Sequence, residues 1–149
     1  MDKDTVLMNI SQLGSMNTSV GCVAMRQLET ASASGKDVYA HLDKLFKLLD
    51  DKNPYARTRA FVLIAKNASW DSRKKIDKNI DKLLSVISSE PAVTVRQCIQ
   101  SLPLIAKAKP SLKEQLTAVL NEINTAKYPS SMREILAGDI KNALEAIEK

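Results

Sequence analysis

Most of the side chains able to do chemistry in this chain are cations. Residues 57–113 hold twelve Lys or Arg against four Asp or Glu, a local excess of +8 in a chain whose formal net charge is +5. Arg59, Lys66, Arg73, Lys74 and Lys107 are the candidates for an electropositive belt, joined by Lys75, Lys78, Lys82, Lys109 and Lys113. Arg59 and Lys66 stand seven apart and share a helix face, and Lys107 lies eleven after Arg96, near its side. A belt of this kind attracts either the phosphates of a nucleic acid or an acidic protein surface. With one Trp, two Phe and three Tyr, the chain has few of the aromatic platforms on which single strands stack. Lys74, Lys78 and Lys82 also interleave with Asp77 and Asp81, which is the pattern of a solvated helix face with i,i+4 pairs.

Other reactive residues are sparse. Cys22 and Cys98 are far apart among apolar neighbours, so the expectation is two reduced thiols acting as small hydrophobes, with no disulfide and no zinc site. His41 is the single histidine, expected at the surface, and no cluster at metal spacing accompanies it. Ser72-Arg-Lys-Lys75 fits S-x-x-K only by spacing, and neither a phosphate loop nor H-E-x-x-H occurs. No catalytic residue, metal or cofactor is therefore expected. Trp70 reads as a buried aromatic beside an N-capping Asp71, and Tyr55 and Tyr128 read as packing residues. No signal-like segment or apolar run of membrane-spanning length is present, so the expectation is a cytoplasmic protein with no membrane partner.

The elements that must position these residues are written in a repeating stripe. Val38, Leu42, Leu45, Phe46 and Leu49 sit at i, i+4, i+7, i+8 and i+11; Ile76, Ile80, Leu83, Leu84 and Ile87 repeat that spacing, as do Leu112, Leu116, Val119, Leu120 and Ile123. The copies begin 38 and then 36 residues apart. A period near 40 signals a solenoid of helix pairs, here over a single domain, residues 1–149. Eight helices are predicted near 4–15, 19–32, 37–50, 54–68, 72–88, 92–108, 111–125 and 131–147. Ser111 to Glu114 and Ser131 to Glu134 read as capping boxes, Asp37 and Asp71 as N-caps, and Pro103 as a kink. The first member of each pair is an amphipathic outer helix, whereas Ala60 to Ala65 is apolar on every side and leaves no polar face to mark.

Each stripe is followed by a proline and an arginine. Asp51-Lys-Asn-Pro54-Tyr-Ala56-Arg57 and Glu90-Pro91-Ala-Val-Thr-Val95-Arg96 place acid and arginine six apart; Lys127-Tyr-Pro129-Ser-Ser-Met132-Arg133 keeps the proline and arginine only. These segments resemble the HEAT-repeat pattern, and the chain is similar to short stand-alone bacterial HEAT-repeat proteins of unknown function. The resemblance implies an all-α, right-handed superhelix of about four helix pairs that binds a partner without catalysis. Asp51, Arg57, Glu90, Arg96 and Arg133 would then form a structural ladder, each arginine bridging to Asp51 or Glu90 and to neighbouring carbonyls through its planar head. A protein partner is the first reading. Nucleic acid is the second, through a resemblance to HEAT-like alkylpurine DNA glycosylases with Trp70 as wall and Asp71 as carboxylate, although adjacent helical residues do not face each other. The sequence leaves the oligomeric state open.

Overall fold

A computed structural model describes all 149 residues, folded as α-helices and short 3-10 turns with no strand. The helices are α1 (Lys3–Ser11), α2 (Thr18–Ser34), α3 (Leu42–Leu48), α4 (Pro54–Lys66), α5 (Lys75–Lys78), α6 (Ile80–Ser89), α7 (Ala92–Ala108), α8 (Lys113–Glu122) and α9 (Ser130–Glu148). Their starts follow from capping chemistry where a short polar side chain is available. Asp2 accepts from the Thr5 amide, Asn17 from Ser19 and Val20, and Asn53 from Tyr55, with Pro54 at the first helical position where its missing N–H costs nothing.

The elements lie in two layers. Helices α2, α4, α7 and α9 pack side by side in chain order, and α1, α3, α6 and α8 each pack on a member of that row. The first two stripe copies are wholly buried, while Val119 and Ile123 of the third are half-buried. Leu45, Leu83, Leu84 and Leu116 all lie in the core, so truncating Leu83 to alanine should cost about 2–5 kcal/mol.

Several expected boundaries shift for local reasons. The helix expected over 72–88 is two helices, because Asn79 leaves helical geometry (φ −116°, ψ 18°) and its side chain bonds the Lys75 carbonyl at 2.8 Å. Neither capping box forms. Ser111 sits inside the 3-10 turn Pro110–Leu112, and α9 starts at Ser130, which leaves Ser131 within the helix rather than before it. Asp37 caps nothing and pairs instead with the Met1 ammonium at 2.9 Å. Pro103 does not end α7; it stands within the helix and withholds one backbone donor.

Asp71 does cap a helix, but three residues later than its position suggests. Lys74 takes a left-handed turn (φ 55°), and the Asp71 carboxylate receives the amides of Lys75 and Ile76, each at 2.9 Å. The same carboxylate accepts the Tyr39 hydroxyl at 2.5 Å and the Lys109 ammonium at 3.1 Å. Lys109 also pairs with Asp77. One buried anion thereby ties together the segments that open the three stripe copies.

Burial pushes the Asp71 carboxyl upward, but the Tyr39 hydroxyl, the Ile76 and Lys75 amides and the Lys109 ammonium outweigh it and hold the group below its ordinary 3.8. A carboxyl depressed in the native state stabilises fully above that ordinary value, and the contribution is lost as pH falls through the lower folded-state value. Melting followed by circular dichroism should therefore weaken below about pH 4. Asp71→Asn should lower stability at neutral pH and flatten that acid limb; an unchanged limb would assign it to other carboxylates.

Candidate functional site

The open face of the molecule belongs to the row of second helices. On α4, Tyr55, Arg59, Val62 and Lys66 recur at i, i+4, i+7 and i+11; on α7, Val93, Gln97, Gln100, Leu104 and Lys107 follow the same stripe. Large apolar side chains are exposed at Val23, Tyr55, Val93, Leu104 and Ile135, one or two on every helix of this row. The remaining ones, Met1, Met8 and Met16, lie in or beside α1, and α3, α5, α6 and α8 carry none. A groove of about 510 Å³ runs between α2 and α4 to Gln97, bordered by Cys22, Arg26, Glu29 and Arg59. Tyr55 is 56% exposed, which corrects its reading as a packing residue, and the Arg59 guanidinium lies 5.7 Å from its ring centre.

Arg59 is fixed within this groove. It donates to the Leu13 carbonyl at 2.5 Å, which joins α4 to the end of α1. Its head rests directly against Gly21, where a Cβ would overlap it, so the glycine is the residue that admits the arginine.

The expected belt does not form one cationic band. Lys66 pairs with Glu29, Lys75 with Asp43 at 3.3 Å, Lys82 with Asp50 at 2.8 Å, and Lys109 with Asp71 and Asp77. These partners lie 32 to 38 residues away in the neighbouring copy; Lys82 thus pairs across copies rather than at i,i+4, while Lys74 and Lys78 stay exposed to solvent. Arg73 and Lys74 are exposed at the turn before α5, and Lys107 is exposed near the end of α7. Of the five belt residues, Lys66 is paired with a carboxylate and Arg59, Arg73, Lys74 and Lys107 are not.

The ladder residues lie elsewhere, at the loop end of the row. Arg57 donates Nε to Glu90 Oε1 at 2.5 Å and Nη1 to the carbonyls of Asp51 (2.7 Å) and Lys52 (3.1 Å). Its acidic partner is thus Glu90 of the following copy; the Asp51 carboxylate instead accepts the Asn53 amide and shapes its own loop. Glu90 is buried, accepts Thr94 Oγ1 at 2.8 Å, and its carbonyl accepts the Tyr128 hydroxyl at 3.0 Å. Hydrogen bonding to Glu90 raises the Arg57 guanidinium further above its ordinary value. Arg96 does not reach Glu90. It donates to Asp139 on α9 at 2.7 Å, and Gln100 joins it at 3.4 Å. Arg133 bonds the carbonyls of Tyr128 (2.9 Å) and Ala126 (3.0 Å).

The two thiols differ. Cys98 is fully buried, and desolvation pushes it up to about 12, so it stays a thiol. Cys22 is exposed in the α2–α4 groove, contrary to its reading as a core hydrophobe. Trp70 is half-buried with its indole N–H on the Ser32 carbonyl at 2.7 Å, and His41 is half-buried rather than at the surface.

The structure defines an all-helical protein of paired helices, most of whose exposed large apolar side chains stand on the row of second helices, with no helix long and apolar enough to cross a membrane. Over 113 residues, 74% of its length, the chain is 30% identical to the AP-2 complex subunit beta of Schizosaccharomyces pombe (strain 972 / ATCC 24843), and the match spans 16% of that protein. No family model and no solved structure matches the chain.

Removing Glu90 leaves Arg57 as a partly buried cation without its counter-charge, so Glu90→Ala should cost about 3 kcal/mol in chemical denaturation. Arg96 is 39% exposed at its side chain, and Arg96→Ala should lower the melting temperature by clearly less. Equal losses for the two variants would refute the distinction. In the native protein, a thiol-alkylating reagent should modify Cys22 promptly and Cys98 only on unfolding, read by intact-mass spectrometry.

Proposed function

We propose that this chain is a HEAT-like solenoid, an α-α superhelix of about four helix pairs, that acts as a non-enzymatic binding module for a protein partner. The carrying observation is that five of the eight exposed large apolar side chains, Val23, Tyr55, Val93, Leu104 and Ile135, stand on α2, α4, α7 and α9, while α3, α5, α6 and α8 carry none and the other three lie in or beside α1. Apolar groups interspersed with Arg59, Gln97, Gln100 and Lys107 fit the mixed core and polar rim of a protein interface. The likeness to a subunit of a protein complex supports the same reading. The nucleic-acid alternative rests on Arg59, Arg73, Lys74 and Lys107, which hold no carboxylate, whereas Lys66 of the same belt pairs with Glu29.

The test is affinity capture with the purified chain, comparing Tyr55→Glu and Leu104→Glu with Ala118→Glu on α8 as a control on the other layer. The two row variants should lose the retained partner while melting like the parent, and the control should keep it. Retention unaffected by both row variants would reject the assignment of the face. In parallel, labelled duplex and single-stranded DNA should show no anisotropy change at near-physiological salt; binding that persists there would favour the alternative.

A further inference from the structure

A second feature lies at one end of this face, where the last turns of α7 meet the Pro110–Leu112 turn and the end of α9. There the surface closes into a pocket of about 550 Å³, within the roughly 300–1,000 Å³ typical of small-ligand sites. Its apolar lining comes from Pro103, Leu104 and Ile147 with small Ala106 and Ala146 between them. Its polar lining is three lysines, Lys107, Lys113 and Lys149.

Two observations give the pocket a chemical preference. No acidic side chain lines it, whereas the groove between α2 and α4 includes Glu29 and the one between α6 and α8 includes Asp81 and Glu122. None of its lysines is in an ion pair, although Lys109, two residues from Lys107, holds two aspartates. Three lysines around a concave apolar surface give it a positive potential that favours an anion. The apolar wall favours an anion with a hydrophobic body, since a hydrated inorganic ion would leave the exposed Leu104 uncovered.

We propose that this pocket binds a small amphipathic anion, an acyl or aryl body ending in a carboxylate or sulfonate. The body lies on Pro103, Leu104 and Ile147, and the head sits among Lys107, Lys113 and Lys149. This goes beyond the partner-binding reading, because the site is complete within one chain and needs no protein ligand.

The experiment titrates the full chain with anilinonaphthalene sulfonate, follows its emission, and competes the dye with decanoate. One saturable site displaced by decanoate is expected. Lys107→Glu with Lys113→Glu should weaken it more than about tenfold, as loss of charge-assisted contacts requires. Ala146→Trp, which fills the pocket, should abolish it, and both variants should melt like the parent. Absent or non-saturating emission overturns the proposal, as does binding that survives the two variants. Loss of the dye on Tyr55→Glu instead would move the site to the α2–α4 groove and equally overturn it, without bearing on capture of a protein partner.

Discussion

A carboxylate removed from water must be held by donors from several directions, and two such groups, Glu90 and Asp71, set the neighbour relations of this chain. Glu90 takes Arg57 from the preceding copy and Thr94 from its own helix, while its backbone carbonyl takes Tyr128 from the following loop. Asp71 takes Tyr39 from the preceding copy, two amides of its own turn, and Lys109 from the following one. Apolar stripes alone would tolerate sliding of one helix pair along the next. A buried anion with donors on three copies does not, because any slip strands a charge whose desolvation nothing repays.

The same geometry decides what becomes of the excess positive charge. Cross-copy partners recur at similar separations: Lys66 with Glu29, Lys75 with Asp43, Lys82 with Asp50, Arg57 with Glu90. A repeat near 38 residues brings equivalent helix positions side by side, so a cation in one copy meets an acid from its neighbour. Four cations of the central segment, Lys66, Lys75, Lys82 and Arg96, thus draw on acids from the segments before and after it, which offsets half of its +8.

How much of this was legible depended on whether the signal was local. Helix α7 starts and stops where it was read, 92–108, because Pro91 and Lys109-Pro110 bracket it. The stripe copies were legible because burial on one side leaves a strict period. The break at Asn79 was not, since Ile76 and Ile80 keep their spacing across it and the apolar pattern carries no sign of the altered backbone. Nor was the Arg96 partner, since Asp139 lies 43 residues away on a helix outside the acid–proline–arginine motif. The open face was hidden for a further reason: in Ala60 to Ala65 only Val62 escapes burial, and a single partly exposed apolar residue cannot announce a surface.

That difficulty also explains why the face lies where it does. Helix α7 is packed by α4 and α9 along the row and by α6 and α8 from the other layer, so most of its circumference is committed to the core. Its exposed side chains are Val93, Gln97, Gln100, Leu104 and Lys107 with Ala108 at its end, a narrow stripe flanked by half-buried Arg96 and Pro103. Substitution there costs little stability because no packing depends on it, whereas changes on the other sides of α7 disturb four neighbouring helices. The outer helices have the opposite balance: one apolar stripe is committed and the rest is polar and solvated. Exposed Val93 and Leu104, together with Tyr55 on α4, would be energetically idle on a helix whose sole task is packing. They stand on the narrow stripe that folding leaves free, and the proposed contact with a partner rests on that placement.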